Sequence, residues 1–269
     1  MNLLRIAFKL TGFFLIVIFF LFSASLISLL VVDKETRRSK LSRLVSLCCF
    51  GCCKIFSVVI HHNHKNYPEN FLIVSNHLSY IDVLVYAAIR PVCFVTSIEM
   101  KKTFFLGLLC QMSGCLFVER RSRDNLDQEI DEISEALKEN QNVLIFPEGT
   151  STNGEGVLRF KRPLFKSVIN AKKRLLPATI IYQEDVKLRD SLCWYGDMTF
   201  FSHFINFLKR KKTSVLISYS TPLPTFCQST QELSELAHYI VKSNYRGFFN
   251  EGQTTSSSAN SGSLLPIHF

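Results

Sequence analysis

Six short apolar runs between residues 71 and 219 constrain the fold of this chain more than any other feature of its sequence. Each run is unbroken, which is the pattern of strands covered on both faces. Helical patterns separate the runs, and the clearest of them places Leu126, Ile130 and Ile133 on one face. We therefore predict an α/β fold with a mostly parallel central sheet flanked by helices. The predicted strands are residues 71–75, 92–96, 115–118, 143–146, 177–182 and 214–219.

Ahead of these runs, residues 10–32 form a stretch without a charged side chain. It is long enough to cross a hydrocarbon core of about 30 Å as a helix. A signal peptide is the alternative, but the stretch exceeds the usual apolar core of about 7–15 residues and no clear small-residue cleavage site follows it. Basic residues are denser after the stretch than before it, which by the positive-inside rule places the rest of the chain in the cytoplasm. We expect a single-pass or monotopic membrane anchor with the catalytic domain on the cytoplasmic face.

The rest of the chain divides into three further parts. Residues 44–60 form a second apolar run that is too short to span the bilayer comfortably, and we interpret it as an interfacial helix or a hairpin partner of the first helix. Residues 1–60 would thus be the membrane anchor and residues 61–249 the catalytic domain. Residues 250–269 are polar and rich in Gly and Ser, and we expect a flexible tail.

Charge and cysteine content indicate the partners and the compartment. The net charge of +9 suits an anionic lipid surface, whereas no nucleic-acid-binding motif accompanies it. Nine cysteines in a cytoplasmic domain should be reduced thiols. Cys48, Cys49, Cys52 and Cys53 form a cluster whose spacing does not match a standard zinc site. We interpret them as apolar thiols in a membrane-surface helix, open to S-acylation, and expect no metal site.

The segment "SNHLSYID" places polar side chains directly after the first predicted strand. In one interpretation His77 removes a proton from a hydroxyl and Asp82 orients the imidazole. In the other, Asn76 or Ser79 caps a helix and Asp82 is a first-turn acid that complements the helix dipole. This segment alone does not decide between them.

Two further segments also place polar groups at predicted strand ends, where sites of α/β folds usually lie. "FPEGTSTNG", residues 146–154, contains Pro147 and Gly149, and its backbone N–H groups could hold an oxyanion or a phosphate unless it is an ordinary turn. "GCLFVERRSR", residues 114–123, ends in three arginines suited to phosphate or carboxylate, or else in a solvated basic turn.

The order of these motifs resembles the glycerolipid acyltransferase family, which includes 1-acyl-glycerol-3-phosphate acyltransferase. The matching stretches are "NHLSYID" (76–82), "GCLFVER" (114–120), "FPEGTS" (146–151) and "LLPATI" (175–180), and the similarity runs from about residue 71 to about 182. The N-terminal apolar helices also resemble the family. The resemblance implies an acyltransferase in which His77 is the general base and Asp82 orients it, so that a lysolipid hydroxyl attacks an acyl thioester without an acyl-enzyme.

The resemblance also implies substrates and binding residues. Acyl-CoA or acyl-carrier protein would be the co-substrate, with no other cofactor, and the acceptor would most simply be 1-acyl-glycerol-3-phosphate, giving phosphatidate. The residues implied in substrate binding are Asn76, Arg120, Glu148, Gly149, Thr150 and Ser151.

Two departures from the family pattern bear on the acceptor. Phosphatidate-forming members usually carry a cation at the positions of Ser97 and Ser151, both associated with the phosphate of the acceptor. Another lysolipid, such as a lyso-ornithine lipid or a lysophospholipid, is therefore the alternative acceptor. A non-catalytic lipid-binding protein and a lipid hydrolase are the alternative classes. The cations that could compensate are Lys101, Lys102, Arg121, Arg159, Lys161 and Arg162.

Overall fold

The structure, a computed structural model, describes residues 2–63, 69–119, 124–183, 192–226, 228–254 and 265–266. Its α-helices are α1 (Asn2–Leu30), α2 (Lys34–Phe56), α3 (Ile81–Ile89), α4 (Ile98–Lys101), α5 (Phe104–Met112), α6 (Leu126–Lys138), α7 (Lys166–Asn170), α8 (Phe200–Lys209) and α9 (Thr230–Thr254). A 3-10 helix, Pro163–Phe165, leads into α7. The strands are β1 (Val58–His62), β2 (Phe71–Ser75), β3 (Cys93–Ser97), β4 (Leu116–Val118), β5 (Val143–Ile145), β6 (Arg174–Tyr182), β7 (Thr213–Tyr219) and β8 (Leu265–Pro266).

The strands form one sheet in the order β4-β3-β5-β2-β6-β7-β1-β8. The five strands from β4 to β6 are mutually parallel, β7 is antiparallel to β6, and β1 is parallel to β7. The predicted α/β fold with a mostly parallel central sheet is therefore confirmed. All five residues of β2 and all three of β5 are buried, which is why their sequences are apolar without alternation. These two central strands carry the segments that contain the predicted site.

The structure corrects the prediction for residues 44–60. α2 begins at Lys34 and ends at Phe56, and Ser57 adopts a left-handed conformation with φ of 60°. Val58 and Ile60 are buried in β1, which pairs with β7, so the predicted interfacial helix is wrong over its last residues. The cause is a general ambiguity, since a short continuous apolar run has the same pattern in a buried strand as in a buried helix.

The first helix begins at Asn2, well before the predicted start at residue 10. Lys9 does not end the apolar segment, because its Nζ atom is buried and donates hydrogen bonds to the carbonyl oxygens of Phe56 (2.9 Å) and Arg210 (2.8 Å). These two carbonyls close the C-terminal ends of α2 and α8, where helix carbonyls lack intrahelical partners. Lys9 thereby joins α1 to the rest of the fold.

The two N-terminal helices pack against each other as a hairpin. Phe20 and Ala24 of α1 lie in one apolar cluster with Leu41, Leu44 and Cys48 of α2. The hairpin alternative for the second apolar segment therefore describes its N-terminal part correctly. Cys48 is buried in this packing, whereas Cys49, Cys52 and Cys53 are buried in the main core, so none of the four lies at the surface.

The predicted flexible tail differs in two places from the structure. α9 extends to Thr254, four residues beyond the predicted start of the tail at residue 250. Leu265 pairs with His62 and Pro266 with His61 at the edge of the sheet. Residues 255–264 and 267–269 lie outside the described residues.

Replacing Lys9 by Met should destabilise the fold, because the two carbonyl oxygens would lose a charged donor. We expect a loss of about 1–3 kcal/mol in the free energy of unfolding. The measurement is chemical denaturation in detergent. The control is Lys40→Met, which removes an exposed lysine from α2 and should change stability by less than about 0.5 kcal/mol. Equal effects of the two substitutions would contradict the role of Lys9.

Candidate active site

The candidate site lies where two neighbouring parallel strands end. β2 and β5 pair with Val74 opposite Ile145, so the segments that follow them leave the same edge of the sheet side by side. The "NHLSYID" segment follows β2, and the "FPEGTS" segment follows β5. Because sites of open parallel sheets form outside the carboxyl ends of strands, the two motifs meet in the expected place.

His77 and Asp82 form a direct hydrogen bond. His77 Nδ1 lies 2.8 Å from Asp82 Oδ2, and Asp82 is buried in the first turn of α3. The same Oδ2 atom accepts hydrogen bonds from the backbone N–H groups of Leu78 (2.7 Å) and Ser79 (3.0 Å). Oδ1 accepts a hydrogen bond from the hydroxyl group of Tyr182 (2.6 Å). Asp82 therefore orients the imidazole from the first turn of α3, where both interpretations place it. The predicted cap at Asn76 or Ser79 is wrong, because the N-cap of α3 is Tyr80, whose side chain makes no capping hydrogen bond.

The surroundings of His77 assign its tautomer and leave one ring edge accessible. A carboxylate only accepts hydrogen bonds, so Nδ1 carries a proton and Nε2 keeps its lone pair. The imidazole stacks on the ring of Phe146, with centroids 4.0 Å apart and an interplanar angle of 12°. The His77 side chain is 18% exposed. A fixed ring with an accessible basic nitrogen can accept a proton from a bound hydroxyl.

The turn after β5 holds the backbone of His77 on both sides. Glu148 Oε1 accepts a hydrogen bond from the His77 N–H (2.8 Å), and the backbone N–H of Thr152 donates to the His77 carbonyl oxygen (3.0 Å). Glu148 Oε2 accepts from the N–H of Leu158 (2.8 Å). Glu148 and Thr152 therefore position the imidazole through the backbone.

Burial raises the pKa of Glu148 from 4.5 to about 7. The hydrogen bonds from the N–H groups of Leu158 and His77 act in the opposite direction, and the nearby charge of Asp82 adds to the increase. A carboxyl group with a pKa near neutrality gains or loses its charge over the pH range in which the protein is handled.

Gly149 and Thr150 form the outer part of this turn. Gly149 has a φ of +76°, and its N–H donates to the carbonyl oxygen of Phe146 (3.1 Å). A Cβ atom at this position would lie 2.5 Å from Lys161 Nζ, so glycine permits both the conformation and the close approach of the lysine. Thr150 is exposed.

Ser151 connects this turn to a distant segment of the chain. Its hydroxyl group donates a hydrogen bond to the carbonyl oxygen of Trp194. The backbone N–H of Trp194 in turn donates to the carbonyl oxygen of Leu78 (2.8 Å). Trp194 thus bridges the segments that follow β2 and β5, and the Ser151 hydroxyl is engaged within the protein.

Asn76 has a structural position that does not favour substrate contact. Its side-chain amide donates to the carbonyl oxygen of Ile180 (3.0 Å), and its side-chain oxygen accepts from the N–H of the same residue (2.9 Å). The side chain is fully buried. Asn76 therefore ties the end of β2 to β6.

Ser97 and Arg120 complete the set of residues singled out in the sequence. Ser97 is the N-cap of α4, where its hydroxyl group accepts a hydrogen bond from the N–H of Met100 (3.4 Å). Its side chain therefore caps the start of this helix. Arg120 lies outside the described residues.

Sequence reasoning missed four residues of this site. Phe146 and Thr152 lie inside or directly beside the "FPEGTS" motif. The sequence identified this motif but did not indicate that these two residues contact His77. Tyr182 is separated from Asp82 by 100 positions and Trp194 from Ser151 by 43. No local pattern in the sequence indicates these two contacts.

Comparisons with known proteins cover the region of the site. A family model described as Acyltransferase matches residues 58–181. The chain is 32% identical over 176 residues to a lyso-ornithine lipid O-acyltransferase of Pseudomonas aeruginosa, covering 65% of this chain and 67% of the relative. It is 29% identical over 153 residues to a 1-acyl-sn-glycerol-3-phosphate acyltransferase of Neisseria gonorrhoeae, covering 57% of this chain and 60% of the relative.

The fold is also similar to a solved structure. The crystal structure of a 1-acyl-sn-glycerophosphate acyltransferase from Thermotoga maritima superposes with a TM-score of 0.65. The superposition covers 96% of this chain and all of the other, at 19% sequence identity. At this identity the likeness concerns the fold.

Replacing Tyr182 by Phe should destabilise the protein, because Asp82 Oδ1 would lose a buried donor. We expect a loss of about 1–3 kcal/mol in the free energy of unfolding. The control is Tyr239→Phe, which removes a hydroxyl from a side chain that is 68% exposed and should have little effect. Both are measured by chemical denaturation, and a neutral Tyr182→Phe variant would argue against this hydrogen bond.

The Glu148 carboxyl group should make stability depend on pH. Its pKa is higher in the folded protein than the ordinary 4.5, so the folded state binds more protons between pH 4.5 and about 7. Its contribution to stability is therefore complete below pH 4.5 and is lost as the pH rises through about 7. The difference in unfolding free energy between wild type and Glu148→Gln should fall by an amount on the order of 3 kcal/mol over this range.

This prediction is tested by denaturation of both proteins at several pH values. Glutamine does not titrate, and other groups cancel in the difference between the two proteins. Any constant cost of the amide also cancels from the pH dependence. A difference that stays constant from pH 5 to pH 8 would show that Glu148 keeps an ordinary pKa.

Proposed function

The chain belongs to the glycerolipid acyltransferase family, and on that premise we propose that it transfers an acyl chain from a thioester to the hydroxyl group of a lysolipid. One observation carries the proposal. The imidazole of His77 is oriented by a buried Asp82, and the basic edge of its ring remains accessible.

In the proposed reaction Nε2 of His77 accepts the proton of the acceptor hydroxyl while its oxygen attacks the thioester carbonyl carbon. The new C–O bond forms, the C–S bond breaks, and the proton passes from His77 to the leaving thiolate. Asp82 stabilises the imidazolium and keeps Nε2 directed outward. Glu148 and Thr152 act as positioning residues, because they bind the backbone of His77.

A covalent acyl-enzyme is not needed, and neither a serine motif nor the Cys93 thiol supports one. The sequence contains no G-x-S-x-G motif, which supplies the serine of many acyl-transferring hydrolases. Burial raises the pKa of the Cys93 thiol to about 11, so its reactive thiolate form is rare near neutral pH.

The acceptor is proposed as one of two lysolipids. 1-Acyl-glycerol-3-phosphate, which would give phosphatidate, is supported by the motif set and by the relative in Neisseria gonorrhoeae. A lyso-ornithine lipid is supported by the relative in Pseudomonas aeruginosa. The uncharged side chains of Ser97 and Ser151 also favour this second acceptor, because both serve internal hydrogen bonds. Acyl-CoA and acyl-carrier protein are both acidic donors that suit a chain of net charge +9.

We propose that the helical hairpin attaches the protein to a membrane. α1 is the one helix among the described residues that is long and apolar enough to cross a bilayer. One face of it packs on the protein, and its other face exposes large apolar side chains. These are Leu3, Leu4, Phe8, Phe14, Leu15, Ile18, Phe19, Phe22, Leu26, Leu29 and Leu30.

Contacts at both ends of the hairpin favour the monotopic form of this anchor. Lys9 binds the ends of α2 and α8, so the N-terminal half of α1 is held on the protein. Lys34 and Arg38 of α2 form ion pairs with Glu135 of α6 and with Glu139, the residue that follows α6. These two basic residues therefore pair with acidic side chains of the protein itself. The cytoplasmic orientation stays a prediction.

Thiol release from acyl-CoA separates the proposed function from its alternatives. The purified full chain should release free CoA only when a lysolipid is present, with lysophosphatidate and lyso-ornithine lipid tested side by side. Release that is independent of any acceptor would indicate a hydrolase. A protein that binds lipid vesicles and releases no thiol with any acceptor and either donor would be a lipid-binding protein.

Replacing His77 by Ala should lower kcat by at least about 10²-fold, because a general base typically contributes about 10²–10⁴-fold. Asp82→Asn should also lower kcat strongly, because an amide no longer selects the same tautomer. The matched control is His61→Ala in β1, which makes the same substitution away from the site and should keep wild-type turnover. If His77→Ala keeps near-wild-type turnover, the proposed mechanism is wrong.

A further inference from the structure

Lys161 lies against the turn that holds the proposed general base. A Cβ atom added at Gly149 would lie 2.5 Å from Lys161 Nζ and 3.0 Å from its Cε. The ammonium group of Lys161 therefore lies directly over Gly149. The preceding residue, Glu148, binds the backbone N–H of His77. The ammonium group is therefore one residue away from a group that positions the base.

The backbone fixes this placement. The N–H of Lys161 donates to the carbonyl oxygen of Pro147 (2.9 Å), and the N–H of Leu158 donates to Glu148 Oε2 (2.8 Å). The segment from residue 157 to 161 thus runs alongside the turn and is bonded to it at two points. Lys161 reaches the site because its own main chain is held there.

The neighbouring cations are engaged elsewhere. Arg162 binds Glu235 of α9 at 3.2 Å and Gln231 at 3.1 Å, and Arg159 lies 3.9 Å from the same Glu235. Lys161 is exposed, and no carboxylate of the described residues pairs with its ammonium group. Among the three cations of this segment, Lys161 is the one left to meet a substrate.

We propose that Lys161 binds a phosphate group of one of the two substrates beside the catalytic turn. The proposal rests on the proposed acyl transfer, whose reactants include coenzyme A thioesters and phosphate-bearing lysolipids. An ammonium group on a flexible stem binds phosphate as a point charge. Thr150 lies on the same turn, and its side chain is exposed. The missing side chain of Gly149 makes room for this arrangement.

The test compares Lys161→Met with a matched loss of charge. Lys161→Met should raise the KM of the phosphate-bearing substrate by about tenfold and change kcat by less than about twofold. Lys161→Arg should restore most of the affinity, because it keeps the charge. Arg159→Met removes one positive charge two residues away and should change either constant by less than about twofold, which controls for the net charge and for attraction to lipid.

Substrates with and without phosphate identify the source. The donors are an acyl-CoA and the same acyl chain on N-acetylcysteamine, and the acceptors are lysophosphatidate and lyso-ornithine lipid. In Lys161→Met, an increase in KM for a phosphate-bearing substrate supports the proposal. The substrate whose KM increases more is the one whose phosphate binds Lys161. An increase no larger than that of Arg159→Met, or an equal increase for the phosphate-free substrates, would overturn it.

Equilibrium binding separates this proposal from the proposed function. The dissociation constants of coenzyme A and of lysophosphatidate are measured on the full chain in detergent, without turnover. If wild type transfers no acyl group to any lysolipid, the proposed function fails. Weaker binding of either ligand to Lys161→Met than to Arg159→Met still supports the phosphate site, and unchanged binding of both contradicts it.

Discussion

The carboxylate of Asp82 is the group on which the rest of the site depends. It is fully buried, and an isolated buried charge costs more free energy than most single interactions recover. Three parts of the chain reduce this cost by donating hydrogen bonds to it. They are the backbone at Leu78 and Ser79, the imidazole of His77 and the hydroxyl of Tyr182. The interactions that make the burial of Asp82 tolerable also place the imidazole.

A second buried carboxylate connects the two strand ends. Glu148 joins the backbone of His77 to the backbone of Leu158, and Thr152 bonds the other side of His77. The imidazole of His77 is therefore held at Nδ1 by Asp82 and along one face by Phe146. The turn after β5 holds the backbone of the same residue. Such positioning by a rigid supporting shell is what a proposed proton transfer requires.

Much of the fold could be predicted from the sequence. Buried parallel strands must be apolar on both faces, so β2 and β5 appear as unbroken runs, and the helix over Leu126–Lys138 appears through its period. The chain reversal at Ser57 was missed because β1 continues the apolar character of α2. The bond between His77 and Asp82 could be expected, since only five positions separate them at the junction of a strand and a helix, whereas the partners of Asn76 and Ser151 could not.

The sequence by itself determined the α/β class, the apolar N-terminal helix and the order of the motifs that meet at the sheet edge, because these depend on local periodicity and short spacing. Only the tertiary structure decided which polar side chains form hydrogen bonds within the protein and which stay available to a substrate. Asn76 and Ser151 bond to distant backbone groups, whereas Lys161 lies over Gly149 without a described acidic partner. The reason is physical: a side chain is available to a substrate only if no buried backbone group requires it, and those groups are brought together by folding.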